Sequence, residues 1–201
     1  MEPLSLTARL PAGFGPTGID RATHEMMFQF QSNPISADDP EWARETPTQF
    51  WDPGRQLLSS IRRYQFWRER AGPLAAIFRR VNVLRHRFWS VVSGADIPLN
   101  SQIGGGLLIP HPNGIVIHPD AKIGVNCLIF QQVTIGIRDD RGSPEIGGHV
   151  DIGAGAKVLG PVKVGAHARI GANAVVIFDV ADGATAVGYG AERTQESGSN
   201  V

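Results

Sequence analysis

A triangular parallel β-helix preceded by an α-helical region is the mainly β fold that the sequence predicts, and three observations predict it. Branched aliphatic residues recur every six positions, glycine concentrates in the same stretch, and the part before it carries helical spacing. Ile97, Ile103, Ile109 and Ile115 stand six apart. After a two-residue offset Ile117, Ile123, Ile129 and Ile135 do the same. Beyond the polar segment "IRDDRGSP" the series resumes with Ile146, Ile152, Val158, Val164, Ile170 and Val176. A helix of 3.6-residue period cannot keep a six-residue repeat on one face, and a flat strand has no need of glycine every sixth residue. Short strands that turn after each hexad do fit. With three hexads to a triangular coil, these fourteen hexads make between four and five coils.

Eighteen of the 24 glycines lie between residues 94 and 190, so the composition changes near Gly94. Small residues recur four places after the hexad position: Ser101, Ala121, Cys127, Ala156, Ala168 and Ala174. They are expected inside the coil, which makes Cys127 buried filler rather than a nucleophile. A single cysteine also excludes an intrachain disulfide.

Before Gly94 the chain reads as helical. Asp52 is an N-cap ahead of Pro53 at the first helical position, and Leu57, Ile61 and Tyr64 follow at helical spacing. A second helix starts at Pro73, with Leu74, Ile77, Phe78, Val81, Leu84, Phe88 and Val91 on one apolar stripe, expected to be core or subunit contact. Residues 1–50 read as a partly ordered arm. The expected organisation is thus 1–93 helical region with its arm, 94–190 β-helix, and 191–201 flexible tail.

Net charge is zero but unevenly spread. Residues 1–54 hold eight acids and three bases, and residues 55–87 hold nine arginines against Glu69 alone. The neutral total argues against a general nucleic-acid binder. The arginine-rich segment is expected to pair within the molecule or its oligomer, with phosphates or acidic lipid as alternatives. The N-terminus lacks the apolar core of a signal peptide, and no apolar run approaches about 18 residues. A soluble cytoplasmic protein is expected.

Among the histidines, His111 is third in its hexad, where side chains leave the coil at a turn. His118, His149 and His167 read as corner residues, while His24 and His86 have no evident partner in the sequence.

From residue 94 to about 188 the chain resembles a serine acetyltransferase of the hexapeptide-repeat acyltransferase superfamily. The segments that carry the likeness are "LLIPHPNGIVIHPDAKIG", "IFQQVTIG", "DIGAGAKVLGPVKVGAHARIGANAVV" and "DGATAVG". The resemblance implies a left-handed parallel β-helix, acetyl-CoA as donor, no metal, and homotrimers with active sites between subunits. In some members the helical caps join two trimers. The family's general base opens an "H-x-x-G-I-V" stretch, here His111, and Asp96, fifteen residues upstream, matches the aspartate that assists it. Gly153, Ala154 and Ala172 match CoA-contacting places, with Gly136 as a further candidate. Arg169 stands where the family has a lysine near the nucleotide phosphates. Asn113 and Gln132 are candidate donors to the oxyanion.

Two departures concern the acceptor. Pro110 replaces an aspartate that contacts serine, and Gly142 and Ser143 replace an Arg-His pair before "PEI". Arg141 or Arg138 is the candidate for the missing charge. The expectation is therefore an O-acetyltransferase acting on a sugar of a polysaccharide or its precursor, with serine O-acetylation for cysteine biosynthesis as the alternative. A metal enzyme of the γ-carbonic-anhydrase kind is a rival, but the spacings among His111, His118 and His149 do not match its pattern. A non-catalytic trimeric scaffold is the remaining rival.

Overall fold

Each hexad supplies one short strand and one corner, so three hexads return the chain to the same side one coil further on. The computed structural model describes residues 35–138, 142–188 and 191–193. The chain divides between Pro34 and Ile35, and all of these belong to the second part. Most of the expected arm, with His24, lies outside the described residues.

Three sheets form the sides of a prism. Face one holds β1 (Gln102–Ile103), β3 (Lys122–Ile123), β6 (Glu145–Ile146) and β9 (Lys163–Val164). Face two holds β4 (Leu128–Ile129), β7 (Asp151–Ile152), β10 (Arg169–Ile170) and β12 (Thr185–Val187), followed by β13 (Ala191–Arg193). Face three holds β2 (Val116–Ile117), β5 (Thr134–Gly136), β8 (Lys157–Leu159) and β11 (Val175–Val176). All pairings are parallel except that of β12 with β13. Residues 191–193, where a tail is expected to begin, thus form a strand.

The registers stack the hexad residues: Ile103, Ile123, Ile146 and Val164 on face one, and Ile117, Ile135, Val158 and Val176 on face three. All fourteen are buried, as are the six small residues four places on. Cys127 is fully buried among them, and burial pushes its thiol up to about 11. The corners need a left-handed backbone, which Asn tolerates better than most residues. Asn126, His149 and His167 adopt it after face one, with φ of 58°, 53° and 60°. Gln132 and Asn173 do so after face two.

Helix α1 spans Pro53–Arg68 and α2 spans Pro73–Ser93, both starting where the prolines predict. The Asp52 carboxylate accepts from the Arg55 N–H. Gly94, left-handed with φ 66°, ends α2. Leu57, Leu58 and Ile61 bury α1 against the first coil, and Gly54 allows the approach, since a Cβ there would lie 2.6 Å from the Ile109 carbonyl oxygen. Arg62 donates to the carbonyls of Ile103 and Gly104, each at 2.7 Å, and to both oxygens of buried Glu45. Gln65 donates to the carbonyls of Leu99 and Ser101. His86 has a partner after all: its Nε2 lies 2.8 Å from the Ile97 carbonyl oxygen.

The stripe on α2 is not core. Its buried residues are instead Ala75, Asn82, Trp89 and Ser93, while Leu74, Ile77, Phe78, Val81, Leu84, Phe88 and Val91 all face outward, Val91 at 83% exposure. Packing against α1 uses mainly the small and polar side of α2 with Trp89, and of the stripe Phe78 alone stacks on an α1 ring, that of Trp67 at 4.6 Å, which leaves most of the apolar side uncovered.

Candidate active site

The six-residue rhythm is lengthened twice, and both insertions fall at candidate site residues. Leu108 and Val116, eight apart, lie beside Leu128 and Thr134, six apart. Two extra residues therefore swell the corner between faces two and three, and that corner carries His111. Thr134 and Glu145, eleven apart, lie beside Lys157 and Lys163, six apart. Five extra residues there form the loop between faces three and one, which carries Arg138 and Ser143.

The corner between faces two and three gathers most of the candidates into one column. Gly114 N–H donates to the Gly94 carbonyl at 2.8 Å, which fastens the His111 corner beneath the end of α2. One coil on, Gln132 N–H donates to the Asn113 carbonyl at 2.9 Å. Gly153 and Ala154 follow in the next coil, and Asn173 N–H donates to the Ala154 carbonyl beside Ala172. At about 4.8 Å per coil, the three steps from the His111 coil to Ala172 span about 14 Å. Gly153 is required by the stacking itself, since a Cβ there would lie 2.6 Å from the Ala172 nitrogen. Arg169, exposed on β10, leads into the last coil of this column.

His111 and Asp96 are both exposed. Asp96 bridges to Val116, five residues past His111, and lies two residues from the Gly94 carbonyl that holds the His111 corner. They belong to adjacent turns of backbone, but the expected dyad hydrogen bond is not made here. A side chain that belongs to no motif also joins the column: the Lys157 ammonium donates to the Gln132 carbonyl at 2.6 Å. Its place just before interior Val158 marks it as outward-facing, and that was the available signal.

The remaining candidates lie elsewhere. Gly136 ends β5 on face three, and its carbonyl accepts from Gly160 N–H beside the loop. Ser143 Oγ donates to the Asp120 carbonyl at 2.8 Å. Arg138 lines a cavity of about 330 Å³ with Leu159, Gly160, Pro161 and Phe178. Arg141 lies outside the described residues. Within one chain, the full width of face three thus separates the loop from His111. His118 sits at the loop's corner, its Nδ1 accepting from Asp120 N–H at 3.3 Å. Among the described residues no three His, Cys, Asp or Glu side chains are grouped to hold a metal ion, and no helix is long and apolar enough to cross a membrane.

No family model matches the chain. Known proteins do. A probable serine acetyltransferase of Oryza sativa subsp. japonica is 52% identical over 102 residues, covering 49% of this chain and 32% of the relative. The apoenzyme of soybean serine acetyltransferase superposes with a TM-score of 0.58 at 34% identity, over 70% of this chain and 57% of that one. A serine acetyltransferase in complex with CoA also gives 0.58, at 33% identity over 72% of this chain and 57% of that one. The coil is the left-handed parallel β-helix of these structures. The chain spans between 32% and 58% of the length of the curated relatives it matches.

Proposed function

Because its β-helical part is serine-acetyltransferase-like and of the hexapeptide-repeat acyltransferase kind, we propose that this protein is an O-acetyltransferase carrying an acetyl group from acetyl-CoA to a hydroxyl, with serine as the first acceptor. The observation that carries the reading is the column itself. A swollen corner presents His111 at its head, and residues too small to block a thin pantetheine arm line it below.

An alcohol is a poor nucleophile at neutral pH, so the reaction needs a base at the hydroxyl. In this reading His111 takes the hydroxyl proton as the oxygen attacks the thioester carbonyl. The carbon–sulfur bond breaks, and the imidazolium returns the proton to the departing CoA thiolate. Asp96 orients the ring and stabilises its charged form, the part an aspartate plays in catalytic triads. The open Asp96–His111 geometry agrees with the general tendency of catalytic hydrogen bonds to tighten only when substrate is bound. Asn113 or Gln132 donates to the developing oxyanion. Gly153, Ala154 and Ala172 flank the donor's arm, and Arg169 meets its phosphates.

The loop that carries Arg138 and Ser143 is remote from His111 within one chain. A homotrimer answers this by setting the loop of one copy against the His111 corner of the next. A sugar acceptor finds no counterpart among the serine acetyltransferases that the chain resembles, so serine takes precedence. Pro110 and Ser143, standing where the family has an amino-acid clamp, are the observations that keep a sugar as second reading.

The test follows thiol release from acetyl-CoA with L-serine as sole acceptor, wild type beside His111→Ala. Turnover that disappears in the variant supports the serine reading. CoA binding without turnover on serine moves the acceptor to sugar hydroxyls, and absence of CoA binding overturns the proposal.

A further inference from the structure

The uncovered face of α2 has an order of its own. Leu74, Ile77, Val81, Leu84, Phe88 and Val91 are spaced alternately three and four apart, which makes one straight seam along a helix, and Phe78 widens it. All seven are exposed. Helix α2 contains no acidic residue. Arg80 and Arg87, both exposed and seven apart, run along one rim of the seam. Neither these two nor Arg63 and Arg79 make an ion pair among the described residues. Beside the rim, Arg79 and Arg80 with Tyr64, Ala76, Val83 and Leu84 line a groove of about 560 Å³ between the two helices.

A seam of this spacing suits a second α2, but the rim does not. Pairing two copies of this helix would bring Arg80 and Arg87 against their own kind, with no carboxylate on either helix to answer them. An anionic bilayer suits both features, because its hydrocarbon takes the apolar seam and its phosphates take the arginines. We propose that α2 is a surface-lying membrane helix that docks the protein on anionic phospholipid, with a lipid phosphate seated between Arg79 and Arg80. The helix lies on the bilayer and does not cross it. This docking is independent of the acyl-transfer reading.

The test uses the full chain in flotation with vesicles of phosphatidylcholine alone and with added phosphatidylglycerol. Enrichment on the anionic vesicles alone, weakened by salt, is expected. Arg80→Gln and Arg87→Gln should each lower vesicle affinity about fivefold. Leu84→Glu or Phe88→Glu should abolish floating while circular dichroism stays unchanged. No enrichment on anionic vesicles overturns the proposal. So does light scattering in which the wild type forms a larger assembly that Leu84→Glu splits, since a second copy then covers the seam.

Discussion

Nδ1 of His149 lies 2.8 Å from Nδ1 of His167, one coil apart on the corner after face one, with the rings at 77°. At most one proton fits between two such nitrogens, so charging both rings sets like charges in contact. Burial foremost, with His167 and nearby arginines adding, pulls the His149 pKa below its ordinary 6.5, although Asp151 opposes them. The unfolded chain therefore binds this proton more readily than the folded one. The stability given by neutral His149 is complete above 6.5 and is lost as pH falls through the lower folded value. In His149→Asn the side chain no longer titrates, and Asn already holds the equivalent left-handed place at Asn126. Thermal melts from neutral to acid pH should show a shallower decline in the variant. Parallel curves would remove His149 as the cause.

His111→Ala should lower turnover by about 10²–10⁴, the usual contribution of a general base. The side chain is exposed, so the melting temperature should stay where it was. Asp96→Asn should produce a smaller loss that enters kcat rather than KM. A drop in melting temperature matching the lost activity in either variant would mean a structural role.

Arg62 answers Glu45, only 6% exposed, with two hydrogen bonds. Arg62→Met leaves that carboxylate buried without its partner and should destabilise by about 3–5 kcal/mol in denaturant unfolding. Adding Glu45→Gln should recover part of the loss. Equal loss in single and double variants would assign the effect to the carbonyls of Ile103 and Gly104 instead.

Gly153→Val puts a branched side chain where even a Cβ meets the backbone of the next coil. The expected cost is about 1–3 kcal/mol, the range for overpacking. If the donor's arm lies in this column, calorimetric CoA binding should weaken beyond what the lost stability explains. Unchanged CoA affinity would place the donor elsewhere.

Cys127 is fully buried with its thiol pushed up to about 11. A disulfide reagent such as dithionitrobenzoate should not label it at neutral pH until denaturant unfolds the coil. Rapid labelling of the native protein would contradict a buried thiol.

The coil was legible because its interior admits little besides Ile, Val and small residues, so fourteen positions repeat one chemical demand. Helix starts were legible at Pro53 and Pro73 for a similar local reason. The direction of the α2 stripe was not, because spacing reports that a face is apolar and says nothing of what covers it. His111 stood out through the likeness, and the two-residue offset beside it already marked its corner as irregular. The separation of Ser143 and Gly136 from that corner was hidden, since it depends on which of three corners each hexad ends at. His86 looked partnerless because its acceptor is a main-chain carbonyl, which no side-chain pattern announces.

Main-chain groups on the outermost turn of a stacked coil are a template on which another molecule can continue the stack. Here Arg62 and Gln65 occupy carbonyls of the first turn, while β13 runs backward along β12 at the far end. Those carbonyls and that edge of face two are thereby denied to a following molecule. A chain built from a repeat that could extend without limit thus resists growing into fibres.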